Sequence, residues 1–184
     1  MAHLTASVEY GVHCLLWLAV ADDGALSSRE MAGLQGVSPA FVAKIFPKLE
    51  KAGIVAASNG LRGGYRLTRS AARISLLEIV DAIEGEKPLF ECQEIRSRCA
   101  LFEGRPPRWA TQGVCAIHAA MLNAEQAMRE SLAATTLADI ARTVERKAPA
   151  AFDGDVRAWL GARNAARGTQ RKPRRRAART GDHA

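Results

Sequence analysis

The sequence predicts a mainly α-helical chain with one small β-hairpin, and three observations predict it. Helix-starting signals recur: Ser27 with Glu30, Ser75 with Glu78, and Thr136 with Asp139 each set a hydroxyl three residues ahead of a carboxylate. That pairing satisfies the amides left bare where a helix begins. Apolar residues repeat at spacings of three and four, as in Val42, Ile45, Leu49 and Ala52, which places them on one helical face. One stretch has strand–turn–strand character: Ile54-Val55-Ala56-Ala57, the turn pair Asn59-Gly60, and Gly63-Gly64-Tyr65-Arg66-Leu67.

Taken in order, Thr5 to Ala21 reads as a helix buried through Val8, Val12, Leu15, Leu16, Leu18 and Ala19. Glu9 and His13 interrupt it and, four apart, lie one turn above the other. Spacing alone does not separate a surface hydrogen bond from a pair of ligands there. Cys14 reads as a small core residue. Ser27 opens a second helix with Met31 and Leu34, broken by Gly33 to Gly36. Ser38 caps a third, with Pro39 at the first helical position, where its missing N–H costs nothing. Lys44, Lys48 and Lys51 line the face opposite the apolar one. Pro47 is expected to kink this helix, at a cost of about 3 kcal/mol. Gly53 ends it and the hairpin follows.

Ser75 starts a fourth helix carrying Leu76, Leu77, Ile79, Val80 and Ile83 and ending at Gly85. Residues 86–114 read as a long irregular loop holding Cys92 and Cys99. A loop of that length is uncommon in a compact domain unless it has a function. Cys115 to Ala134 is helical, with Ile117, Met121, Ala124, Met128 and Leu132 on one stripe that is core or partner surface. A second copy of the chain is the economical cover for it. A short helix follows from Leu137 to Val144. From Ala148 onward the composition turns to Ala, Arg, Gly and Pro and reads as tail, with Val156, Trp159 and Leu160 in a docked turn.

Helix, glycine turn, capped basic helix, then hairpin is the order of a winged helix-turn-helix. Between Ser38 and Arg69 stand Lys44, Lys48, Lys51, Arg62, Arg66 and Arg69 against the single acid Glu50. Such an excess suits double-stranded DNA, because each neutralised phosphate releases counterions. Lysines on a helix alone fit a solvated face equally well; the capped helix together with a basic glycine wing favours DNA. Ser38, Ala40, Phe41 and Lys44, ahead of Pro47, are the expected base contacts. Ser28, Lys48, Arg62, Gly63 and Tyr65 complete the expected DNA-binding set. The organisation is then 1–85 DNA-binding domain, 86–114 loop, 115–147 dimerisation helix and short docking helix, and 148–184 basic tail.

The formal charge is +7, yet residues 163–184 hold eight basic residues and one acid, leaving eighteen of each sign elsewhere. The high pI therefore belongs to the tail. Its run Arg171-Lys172-Pro173-Arg174-Arg175-Arg176 is expected to be disordered and to attract nucleic acid without regard to sequence. The apolar run from Cys14 to Ala21 is too short for a membrane span, and no secretory signal is apparent. The expected location is cytoplasmic. Four cysteines there bind metal, react or pack more often than they form disulfides. Cys92, Cys99 and Cys115, with six and then fifteen residues between them, do not have a zinc-ribbon spacing. An iron–sulfur cluster, zinc and free thiols all stay open. No glycine loop for nucleotides and no nucleophile–base pair points to an enzyme, and no small-molecule substrate is expected.

SPAFVAKIFPKLEKAGIV, the wing GLRGGYRLTR, ISLLEIVDAIEG, the cysteine loop and SLAATTLADIAR together resemble the Rrf-two family of bacterial winged-helix regulators, relatives of IscR and NsrR. The resemblance covers Met1 to about Arg146 and implies a homodimer on palindromic operators, with an iron–sulfur cluster controlling affinity. VEYGVHC, FECQEI and VCAIHAAM are similar to its RsrR-like redox-sensing subgroup. That similarity implies a two-iron, two-sulfur cluster held by Cys92 and Cys115 of one subunit and by Glu9 and His13 of the other. A rival set, Cys92, Cys99, Cys115 and His118, is similar to the IscR branch, but its second interval is much longer here. The alternatives are the same fold regulating through thiol oxidation or zinc, an electron-transfer protein, and a winged protein–protein adaptor that does not bind DNA.

Overall fold

The computed structural model describes residues 4–21, 24–58 and 63–169, the last six by backbone only. The chain divides into two compact units, 1–147 and 148–184. Helix α1 spans Ala6–Val20, with Thr5 as N-cap and its hydroxyl accepting from the Ser7 N–H at 3.2 Å. Gly11, Cys14, Leu15 and Leu18 of α1 are buried, whereas Glu9 and His13 are exposed.

Helix α2 is Ser28–Gln35 and α3 is Pro39–Lys51. The expected capping box forms: the Ser27 N–H donates to Glu30 Oε2 at 2.8 Å, and Ser27 Oγ accepts from the Glu30 N–H at 3.3 Å. Gly36, at φ 70°, turns the chain between the two helices, a conformation open to glycine. Val42, Ile45, Phe46 and Leu49 form the buried face of α3. Ala52 is not part of it; it is exposed and serves as the C-cap. Helical structure is unbroken through Pro47. Ala43 and Pro47 are both exposed, so the bond that proline forfeits lies on the solvent side, where the cost of losing it is least.

Strands β1 (Val55–Ser58) and β2 (Gly64–Leu67) pair antiparallel, Val55 opposite Leu67 and Ser58 opposite Gly64. Leu26 adds a third rung that the sequence does not announce: it exchanges backbone bonds with Tyr65 at 3.0 and 2.8 Å. This bridge ties the wing to the segment entering α2.

Helix α4 (Leu76–Glu84) buries Ile79, Val80 and Ile83 and begins with the predicted Ser75/Glu78 box. The loop after it carries 3₁₀ turns at Ile95–Arg98 and Ala100–Phe102 and a short helix α5, Arg108–Thr111. Helix α6 (Ala116–Ala134) has no buried residue along its 19. It is fastened to α4 by Arg129, whose guanidinium meets both oxygens of Asp81 at 2.9 and 3.1 Å. The predicted apolar stripe divides: Met128 and Leu132 line a groove with Leu77 and Val80, whereas Ile117, Met121 and Ala124 are exposed. Helix α7 (Leu137–Glu145) starts with its own box at Thr136/Asp139 and buries Leu137 fully. Backbone bonds from Leu76 to Thr135 (2.8 Å) and from Leu137 to Ile74 (2.9 Å) join the starts of α4 and α7.

The second unit departs from the expected tail. Phe152–Thr169 is a helix, α8, with Asp153 and Asp155 in its first turn, where they suit the positive end of the helix dipole. Val156 and Leu160, one turn apart, are buried, and Arg163 lies 4.2 Å from the centre of the Trp159 ring. Residues 170–184, which include the basic run, lie outside the described residues.

Gly64 is a steric requirement. A Cβ there would stand 2.5 Å from the Leu26 carbonyl carbon and oxygen and 2.8 Å from the Ser27 nitrogen. Gly36 has open space and only its positive φ to defend. We expect Gly64→Ala to cost about 2–3 kcal/mol and Gly36→Ala about 1 kcal/mol in urea unfolding. Equal costs would mean the wing yields freely.

Candidate DNA-reading face and cysteine centre

Ser38 has the extended backbone of an N-cap, φ −67° and ψ 131°, but its side chain makes no capping bond. Its exposed hydroxyl therefore stands uncommitted at the start of α3, beside exposed Ala40 and Lys44. Helix N-termini present amides and a positive dipole end, which suits phosphate. Ser28 is half-buried at the start of α2 and Gly63 half-buried at the foot of the wing. Arg62 lies outside the described residues.

Three members of the expected DNA set are engaged within the fold. Phe41 is half-buried, its ring edge-on to Tyr10 of α1 at 5.0 Å. Tyr65 packs on the buried Phe46 ring at 4.8 Å, and burial followed by the charge of Glu50 raises its phenol above the usual value. The Lys48 ammonium donates to the Ile83 carbonyl at 2.6 Å, capping the end of α4. The lysine spacing signalled only a common face; nothing in the sequence marks that carbonyl as a partner.

The cysteines fall into different settings. Cys14 is in the core, 1% exposed, and burial pushes its thiol up to about 11. Cys99 is exposed between the two 3₁₀ turns. Cys92 and Cys115 are half-buried. Cys115 is the N-cap position of α6, without a side-chain capping bond; the backbone amides of His118 and Ile117 at the start of that helix, and then the charge of Arg96, hold its thiol below the ordinary value.

Arg96 organises the centre, and sequence reasoning missed it. It pairs with Glu94, donates to the carbonyls of Thr111 (3.4 Å) and Gly113 (3.0 Å), and interacts electrostatically with both Cys115 and Cys92. One guanidinium is thus within electrostatic reach of both cysteines, which are 23 positions apart in the chain. Glu94 is itself in the left-handed region at φ 47°, a conformation that costs a non-glycine residue about 1 kcal/mol. The His118 ring stands 6.1 Å from Phe90, and its charge acts on Glu94.

Glu9 and His13 are on the outward face of α1, opposite its buried side. Among the described residues, no three His, Cys, Asp or Glu side chains of one chain converge as a metal site. Cys92 and Cys115 are thus both within electrostatic reach of Arg96, and Glu9 and His13 are a separate exposed pair.

Residues 4–143 match the family model described as Rrf2, iron-dependent transcriptional regulator. The chain belongs to the Rrf2 family. A similar protein is the transcriptional repressor NsrR of Streptomyces coelicolor, 31% identical over 139 residues, which are 74% of this chain and 86% of that repressor. Among solved structures, IscR of T. potens shares the fold with TM-score 0.60 and 23% identity, over 80% of this chain and 91% of that one. The cysteine regulator CymR of B. subtilis shares it with TM-score 0.62 and 23% identity, over 78% and 98%. This Rrf2 protein is a winged-helix DNA-binding transcriptional regulator, and a family of regulators is not one of enzymes. Among the described residues, no helix is long and apolar enough to cross a membrane.

Metal-free protein treated with iodoacetamide at neutral pH should lose the Cys115 and exposed Cys99 thiols first and retain Cys14 until it is unfolded. Arg96→Gln should slow labelling at Cys115, since a higher thiol pKa leaves less thiolate. Mass spectrometry of the labelled peptides reads both; rapid native labelling of Cys14 would contradict the packing.

Proposed function

We propose that this regulator is a homodimer that binds double-stranded operator DNA through α3 and the wing. Operator affinity is set by a two-iron, two-sulfur cluster acting as a redox sensor. Cys92 and Cys115 of one protomer, with Glu9 and His13 of a second copy, would hold it. The observation that carries this reading is the placement of Glu9 and His13. Both are exposed, side by side, on an apolar helix whose other face is core. The donor chemistry fits, because Cys115 is biased toward thiolate, the form that binds iron, and shares a cation with Cys92. The exposed residues Ile117 and Met121 of α6 offer the second copy an apolar surface.

When bound, such a cluster supplies a reversible one-electron change of charge. The protein's own residues turn that change into a mechanical one. Cys115 begins α6, so its sulfur holds the start of that helix; Glu9 and His13 hold α1, and Tyr10 of α1 leans on Phe41 of α3. Ser28, Ser38, Ala40 and Lys44 then face the groove, with Gly63 from the wing. Because coupling is reciprocal, operator DNA should also shift the cluster's midpoint potential.

A second reading keeps DNA binding and regulates through thiols or zinc. It is favoured by the acidified Cys115 and exposed Cys99, and by likeness in fold to a cysteine regulator.

Anaerobically purified protein separates these readings. We expect iron and sulfide in equal amounts, an absorption and EPR change with dithionite, and an altered spectrum in His13→Ala. An unaltered spectrum in His13→Ala with a disturbed one in His118→Ala would move the ligands to the rival set. Absence of iron would leave the thiol regulator. Deleting 163–184 should flatten the salt dependence of binding while operator preference persists; lost preference would mean this segment reads sequence.

A further inference from the structure

Lys48 is on the exposed lysine face of the recognition helix, yet its ammonium is 2.6 Å from the Ile83 carbonyl. That carbonyl is in the last turn of α4, among the groups a helix cannot bond internally. A lysine there both satisfies an acceptor and meets the negative end of the helix dipole. Ile83 is also gripped from its other end. Its side chain is 2% exposed and packs on Gly11, where an added Cβ would stand 2.5 Å from Ile83 Cδ1 and 3.6 Å from Ile45 Cγ2. Gly11 lets α1 approach α3 and α4 at one point. It falls between Glu9 and His13 in sequence, two residues from each, and so about 200° around the helix from either. The junction of the three helices is therefore directly behind the exposed pair.

We propose that Lys48 is a positioning residue: it sets the recognition helix through Ile83 instead of neutralising a DNA phosphate. Gly11, Ile45 and Ile83 are the contact through which α1 reaches the same point. The assignment of Lys48 requires only that the protein bind DNA. The link to α1 rests on the sensor reading above.

The test is a salt series on metal-free protein with operator and random duplexes, for wild type, Lys44→Met, Lys48→Met, Lys48→Arg and Gly11→Ala, well below each melting temperature. Lys44→Met should weaken binding to both duplexes and reduce the slope of log K against log salt by about 0.9. Lys48→Met should leave random-DNA affinity and slope at wild-type values and lower the operator-to-random ratio about tenfold, the size of one charge-assisted hydrogen bond. Lys48→Arg, which keeps a donor, should restore the ratio. Gly11→Ala, at a buried position that adds or removes no charge, should lower the ratio with the slope unchanged. A slope loss in Lys48→Met equal to that of Lys44→Met would overturn the proposal, as would an unchanged ratio. No arm needs iron, so protein without a cluster would defeat the sensor reading and leave this result standing.

Discussion

The nine residues of α4 are the anchorage on which the functional elements depend. Its buried edge, Ile79, Val80 and Ile83, faces the core with Ile74 just before it. The polar groups of α4 are committed one by one to other elements. Asp81 takes Arg129 of α6, Glu84 takes the backbone and hydroxyl of Thr5 at the start of α1, and Ile83 takes Lys48 of α3. Glu78 closes its own cap and also pairs with Arg69 beyond the wing. The Arg129–Asp81 pair is two-pronged and partly shielded, the geometry in which an ion pair holds orientation. A displacement of α4 would therefore be felt at the reading helix, the first helix and the long helix together.

That arrangement explains why α6 can be long and still bury nothing. A 19-residue helix without a buried residue gains little from the core, so its orientation rests on Asp81–Arg129, on Glu125 accepting from Leu89 at 3.0 Å, and on Met128 and Leu132. All four residues of α6 are in its C-terminal half. The N-terminal half, from Cys115 to Ala124, projects with Ile117 63% and Met121 37% exposed. The cysteine at the base of that half is thus attached to a lever whose far end is tied to α4 and whose near end is tied to the loop, through Arg96 at Thr111 and Gly113 and through Phe90 at His118.

Much of the fold was legible because local chemistry decides it. Three capping boxes and the glycine or cap stops place the helices to within a residue or two, and the strand patterns on either side place the hairpin; the expected Asn59-Gly60 turn itself lies outside the described residues. What the sequence hid were partners across the chain. Leu26 joins Tyr65 through backbone atoms, which have no sequence signature; Lys48 finds a carbonyl; Arg96 gathers residues from both ends of a loop. The exposed face of α1 was half legible. Glu9 and His13 announced a polar stripe, and burial shows that the stripe faces out, but spacing could not say what faces it. The helix α8 was masked by composition, since Gly154 and Gly161 suggested tail while Val156 and Leu160 supplied a buried edge.

Where reading and sensing meet, geometry constrains how they can be joined. A recognition helix does not slide freely when its apolar face is as closed as that of Val42, Ile45, Phe46 and Leu49. Packed interiors respond to strain by shifting whole elements between discrete arrangements, not by stretching. Among the points at which α1 meets α3 are Tyr10 on Phe41 near the start of α3 and Gly11 on Ile45 at its middle. Two contacts on one helix define a rotation as well as a translation. A small tilt of α1 would swing Ser38 and Ala40 relative to Lys44, changing how the start of α3 meets base edges more than how its flank meets phosphate. Under the proposed sensor reading, in which α1 carries the signal, such a switch would act on specificity before it acts on total affinity.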